Sequence, residues 1–186
     1  LTALQRQVSM LEHDRETLEN ELLASYERQY WLTASEERSR LLIEFMNQDA
    51  RLEVCLLGLR LVEKVISNGE TVTENVIAAV ATLINNPDTL VRATAIRRLG
   101  LIDDERTANI IAPLLASESD LVVQEAMISI LCQHPVNQTI PVLIGFINDG
   151  VDNSLIARAL VAAYRADMAK IKTMNAAAEK LAFVYK

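Results

Sequence analysis

Leu1, Leu4, Val8, Leu11, Leu18 and Leu22 recur in alternating steps of three and four residues, with Arg15 at the one intervening position. Glu12, Asp14, Glu16, Glu19 and Glu21 lie between them. An apolar seam of period 3.5 flanked by charge is the pattern of a coiled coil. Residues 1 to about 24 are therefore expected to form a helix that associates between chains through Leu4, Val8, Leu11, Leu18 and Leu22, the alternative being an amphipathic helix that packs on its own chain. Continuing the register gives Ser25, Gln29, Leu32, Glu36 and Ser39, so the seam lapses. Residues 23–47 contain no Gly or Pro, and the helix is expected to run on. Its apolar face then rotates onto Leu32, Leu41, Leu42, Ile43, Phe45 and Met46.

A second organisation starts near residue 36. Leu83–Val91, Leu114–Val122 and Phe146–Ile156 each read as an apolar pair, a polar turn of about six residues and another apolar pair. The second lies 31 residues after the first and the third 32 after the second. Upstream of each runs an apolar stretch: Val76–Ile84, Ile110–Leu115 and Ile140–Ile147. Downstream runs an Ala-bearing one: Ala93, Ala95, Ile96 and Leu99, then Ala126, Met127, Ile130 and Leu131, then Ala157, Ala159, Leu160 and Ala163. Small side chains at such places let helices approach closely. Each unit is a helix–turn–helix whose apolar face is too wide to bury alone, so neighbours must stack. An earlier unit is expected at Phe45-Met46-Asn47-Gln48-Asp49 followed by Leu52–Ile66, with a longer loop at 67–73 before the next. Met168–Lys186 is expected to be a separate terminal helix covering the last face.

Composition agrees with this pattern. Five glycines and four prolines make up about 5% of the 186 residues, against about 12% in an average protein, and aromatics only 4%. All-β folds need more turns and more aromatic and β-branched residues, and 51% hydrophobic content argues against disorder. The fold class expected is all-α: a helical-repeat solenoid of three to four helix pairs preceded by a long N-terminal helix, divided into residues 1–35 and 36–186.

Asp88-Thr-Leu-Val91-Arg92-Ala-Thr-Ala95-Ile-Arg-Arg-Leu99-Gly100 resembles the second helix of a HEAT repeat, and Ile140-Pro141-Val-Leu143 the start of a first helix. Pro113-Leu114-Leu115 is a looser echo. The resemblance covers roughly residues 36–165. It implies an armadillo-like scaffold for protein–protein contacts, with an Asp–Arg ladder between successive turns. Asp88 and Arg92 fit that ladder; Asp120 recurs, but Val123 or Gln124 stands where the helix Arg would be, and Arg158 is offset from Asp152.

The chemistry-bearing residues support no reaction. The two histidines, His13 and His134, and the two cysteines, Cys55 and Cys132, are too scattered to suggest a metal site, and the cysteines read as buried small hydrophobes. No phosphate-binding glycine loop, HExxH or nucleophile–base motif occurs. Asp103-Asp104-Glu105 reads as the acidic opening of a helix over 104–116 rather than a cation site. The chain is thus expected to be no enzyme and to need no cofactor.

Eighteen basic against 25 acidic residues give a net charge of −7, which disfavours nucleic acid and anionic membranes as partners. The charge is uneven: residues 1–47 hold five Arg and nine acids, so the repeat region is closer to neutral. The alternative function is therefore a nucleic-acid-binding solenoid using Arg92, Arg97 and Arg98 with Arg158 and Arg165. Tyr26, Tyr30, Trp31 and Phe45 gather half of the aromatics within 20 residues. Such a cluster either docks the long helix onto the first repeat or anchors a partner, and Tyr26, Tyr30 and Trp31 are the candidate contacts. The function expected is a non-catalytic scaffold, homo-oligomeric through its N-terminal helix, most simply a dimer, with a protein partner whose identity the sequence does not carry. No run of 18 apolar residues spans a membrane. The cysteine usage favours the cytoplasm. The chain opens at Leu1 inside a periodic pattern and reads as a piece of a longer protein, which leaves targeting or a membrane segment open upstream.

Overall fold

A computed structural model describes residues 2–47, 49–102, 104–136, 139–147 and 152–184, with side chains described to Ala166 except at 104 and 105, and beyond it at 168, 169 and 172. Among these residues the chain is all-α, without strands. In order the helices are α1 (Ala3–Leu32), α2 (Ser35–Phe45), α3 (Leu52–Ser67), α4 (Glu74–Thr82), α5 (Thr89–Ile102), α6 (Asp104–Ile111), α7 (Leu121–Leu131), α8 (Ile140–Gly145) and α9 (Asn153–Val184), with one 3-10 turn at Leu83–Asn85. They form two compact units, Leu1–Leu83 and Ile84–Lys186.

In the first unit, α2 packs on α3 and α4, and the C-terminal part of α1 lies against α2 and α3. Its core is Tyr30, Leu42, Phe45, Met46 and one face of α3 from Cys55 to Val65, closed by Val76 and Val80 of α4. α1 opens with a capping box, in which Gln5 N–H donates to Thr2 Oγ1 and Thr2 N–H donates to Gln5 Oε1. Residues 23–47 are not one helix: α1 stops at Leu32 and α2 begins at Ser35. Thr33 and Ala34 are both extended, with ψ of 142°. The break needs no Gly or Pro because a side chain serves the freed carbonyls. Arg38 Nε donates to Thr33 O at 3.0 Å and its Nη2 to Trp31 O at 3.1 Å. Glu36 and Glu37 then occupy the first turn of α2, where negative charge is favoured.

The second unit stacks its repeats through their second helices, with α7 lying between α5 and α9. α6 packs on α5 and α7, and α8 packs on α9. Val123, Ala126, Met127, Ile128, Ile130 and Leu131 bury a broad face of α7, while Leu121, Val122 and Ser129 on its other side stay exposed. Of the expected small residues, Ala93, Ala95, Ala126, Ala159 and Ala163 are buried, whereas Ala157 is exposed. Pro141 sits in the first turn of α8, where its missing N–H costs nothing.

Two expected boundaries move. α6 ends at Ile111 rather than 116, because Pro113 lacks the N–H that would continue the helix and disfavours helical geometry at Ala112. α9 runs unbroken from Asn153 to Val184, so no separate helix starts at Met168; no Gly or Pro interrupts that stretch. The second helices begin 32 residues apart on both occasions, at Thr89, Leu121 and Asn153. Gln48 of the earliest turn, 148–151 of the last, and Leu1, Asp103 and Lys186 lie outside the described residues.

Gly58 marks a close approach of α3 to the end of α2. A Cβ there would meet Met46 Cγ at 2.7 Å and Phe45 Cβ at 3.1 Å. Gly58→Ala gains helix propensity of about 0.5–1 kcal/mol but overpacks by about 1–3 kcal/mol. The expected net loss is about 1 kcal/mol, read as a lower urea midpoint in circular dichroism; a midpoint that rises would show that α2 is not held this close to α3.

Candidate interaction surface

α1 has two halves of opposite character. From residue 23 onward one stripe docks: Leu23, Tyr26, Glu27, Tyr30 and Trp31 are half-buried or buried. Tyr26 meets Phe45 with ring centroids 5.5 Å apart. Glu27 pairs with Arg60 of α3 at 3.2 Å and with Lys64. The Lys64 hydrogen bond, reinforced by the charge of both bases, holds the Glu27 carboxyl below its ordinary value even though burial opposes this. Tyr30 is 1% exposed, and burial pushes its phenol above the usual value. Trp31 lies edge-on to Tyr30 at 5.0 Å. The guanidinium of Arg38 sits 5.7 Å from the Tyr30 ring centre and 5.4 Å from that of Trp31. Of the three aromatics suggested as contacts, Tyr30 faces its own core, while Tyr26 and Trp31 retain partial exposure.

The other half is bare. Of residues 3–22 only Glu19 is even half-buried. Leu4 is 72% exposed and Leu18 65%, and Val8, Leu11 and Leu22 are exposed as well. Arg15 makes only a loose pair with Glu19 of the next turn, 3.8 Å away. The line of the seam continues through Ser25 and Gln29 to Leu32, all exposed. It runs one residue out of phase with the docked stripe, about 100° around the helix. A second helix on the seam would therefore not displace α3.

The repeat turns of the second unit carry a different constellation. Asp88, Asp120 and Asp152 occupy the same place 32 residues apart, each before a second helix. Asp88 Oδ1 accepts from Leu90 N–H and Val91 N–H at 2.9 and 3.0 Å. Asp120 Oδ1 accepts from Val122 N–H at 2.9 Å, and Asp152 from Ser154 N–H at 2.8 Å. Arg92 does not pair with Asp88. Its Nε and Nη2 donate to the two carboxylate oxygens of Glu118, both at 3.1 Å, and its Nη1 donates to Asn86 O and Pro87 O at 3.0 Å. The link between turns is thus Arg92–Glu118, seconded by Thr89 Oγ1 donating to Asp120 Oδ2 at 3.3 Å. Burial would raise the Glu118 pKa, but the Asp120 N–H and Arg92 outweigh it and hold the carboxyl low. In the next unit Gln124 Nε2 donates to Glu118 O at 2.7 Å, a contact six residues back like that of Arg92 to Asn86. Gln124 serves its own turn, but it has no charge to send to the next.

This is the turn geometry of stacked helical repeats, and residues 41–132, about half of the chain, match the family model described as HEAT repeats. The chain is a HEAT-repeat protein. Neither the curated proteins nor the solved structures give a match. The HEAT match runs from within α2 to the end of α7. Helical repeats of this family are generally scaffolds for protein interaction.

The remaining candidates are dispersed. Cys55 is buried and Cys132 half-buried, and neither is in a disulfide. Arg92 is committed to four acceptors in its own repeats, whereas Arg97, Arg158 and Arg165 are exposed. Arg158 and Arg165 border a shallow groove of about 410 Å³ with Cys132, Ala157 and Val161. Among the described residues no helix is long and apolar enough to cross a membrane.

Arg92→Ala strips a largely buried carboxylate and two carbonyls of their donor, which should cost about 2 kcal/mol or more. Because the Glu118 carboxyl is held low in the folded state, its contribution is complete above the ordinary carboxylate pKa of about 4.3 and is lost as pH falls through the lowered value. Urea midpoints taken from pH 6 to about pH 3 should therefore fall less steeply in Arg92→Ala than in the parent; parallel slopes would exclude Arg92 as the stabilising partner of Glu118.

Proposed function

We propose that this protein is a non-catalytic interaction scaffold in which the repeat region, 36–186, displays a surface and the N-terminal segment, 1–35, sets copy number by pairing through Leu4, Val8, Leu11, Leu18 and Leu22. The observation that carries this reading is the bareness of the seam. A helix of 20 residues, roughly 30 Å long, offers five large apolar side chains to water although its other end is firmly docked. Most helical stability in proteins comes from packing an apolar face, so such a segment gains most from a second helix. Val8 at one seam layer with Leu4, Leu11 and Leu18 at the alternate layers favours two strands. A second copy of the chain is the simplest mate and gives a dimer. Joining two repeat surfaces in one particle would raise the avidity of a weak contact without adding a new one. Tyr26 and Trp31, half-exposed beside the docked end, are the aromatic contacts open to a protein partner.

Light scattering of the intact chain should return twice the mass of one chain at micromolar concentration. The double variant Leu11→Asp, Leu18→Asp should return a single mass while keeping the cooperative melt of the repeats. A monomeric parent, or a variant that still dimerises, would remove the seam as the association surface.

A further inference from the structure

The flanks of the seam say which mate it takes best. With Val8, Arg15 and Leu22 on one line of the seam and Leu4, Leu11 and Leu18 on the other, the positions bordering it between Leu4 and Leu22 are Gln5, Gln7, Glu12, Asp14, Glu19 and Glu21. Four are acids and none is a base. The bases of this stretch lie elsewhere: Arg6 on the outer side of the helix and Arg15 within the seam. Border positions choose partner and orientation in a coiled coil, because those of one helix face those of the other.

Two copies of this chain therefore meet badly at their edges. Paired in parallel, Asp14 of each faces Glu19 of the other, and Arg15 faces Arg15 across the seam. Paired antiparallel, each border faces its own kind, acid against acid. One Arg per chain does not balance four carboxylates, and it already lies 3.8 Å from its own Glu19. Like charges facing each other penalise this pairing, while opposite charges would reward another.

We infer that the preferred occupant of the Leu4–Leu22 seam is a foreign helix with an apolar heptad seam, Lys or Arg along both borders, and an acid or amide opposite Arg15, and that this helix displaces the second copy. The inference rests on the reading of Leu4–Leu22 as a pairing seam. The exposed position of the whole line, about 100° away from the docked stripe, leaves room for that helix without loosening α1 from α3.

The test uses the intact chain and synthetic peptides of three heptads. One has Leu and Val in the seam, Lys on both borders and Glu opposite Arg15. The second differs only in having Glu on the borders. The third keeps the Lys borders but has Ser throughout the seam. Sedimentation velocity with labelled peptide at about 50 mM salt should show a one-to-one complex with the first peptide, at least about tenfold tighter than with the second and at the expense of the homodimer. The preference should shrink as salt rises to about 500 mM, where charges at this spacing are screened. Equal binding of the first two peptides, a homodimer that outlasts the Lys-bordered peptide, or equal binding of the seamless peptide would each overturn the inference. The first two of these results leave the pairing seam itself standing. A chain that stays monomeric and binds none of the three would sink the seam as well, so the two failures are distinguishable.

Discussion

A helix whose apolar face is wider than one neighbour can cover must be packed from several sides, and α7 sets this condition for the second unit. Its inward positions, Val123, Met127 and Leu131, alternate with Ala126, Ile128 and Ile130, and all are buried. No single neighbour could cover them, so α5 and α9 take opposite sides and α6 a third. Stacking of repeats follows from that need rather than from any one contact. The buried alanines on α5, α7 and α9 let the helices close to the distance at which larger side chains interdigitate.

Once the helices stack, the turns between them lie side by side, and polar groups there must find partners. The aspartates at 88, 120 and 152 serve the helix starts, which leaves Arg92 to reach forward to Glu118 and back to the carbonyls of Asn86 and Pro87. One guanidinium therefore rigidifies its own turn and ties it to the next. Arg38 does comparable work in the first unit. It accepts no role in a seam or a repeat; it closes the end of α1, lies beside two aromatic rings and comes within 4.0 Å of Glu70. Its effect is to fix the docked half of α1 firmly while the remainder extends bare.

Periodicity made the helices and the repeat unit legible, because a 3.6-residue stripe and a 32-residue recurrence are properties of the string. The recurring aspartates were visible too, but as rungs of a ladder; that Asp88 and Asp120 cap their helices, each within three residues of itself, emerged only with the structure. The partner of Arg92 was not legible. Glu118 lies 26 residues away, and the pairing depends on how two turns come to face each other. A weak signal existed: Asn86 and Glu118 both stand two residues before an aspartate, and each accepts from that aspartate's N–H. The break at Thr33 was hidden as well, because the residue that makes it tolerable, Arg38, reads as one more charge on a helix surface.

The aromatic cluster separates the two kinds of information most sharply. Composition and spacing placed four aromatics where a long helix meets the first repeat, and could go no further. Which ring turns inward depends on a rotation of α1 that only its neighbours α2 and α3 set, and this puts Tyr30 in the core and leaves Trp31 half-exposed. Local order along the chain was enough for helix content, the HEAT-like unit, the seam and its acidic borders, because each is a matter of residues within a turn or two of one another. Which faces are covered, which salt bridges join distant turns, and the fact that the seam is bare all depend on contacts between segments far apart in the chain, and these exist only after packing has chosen among the orientations that the same periodic pattern allows.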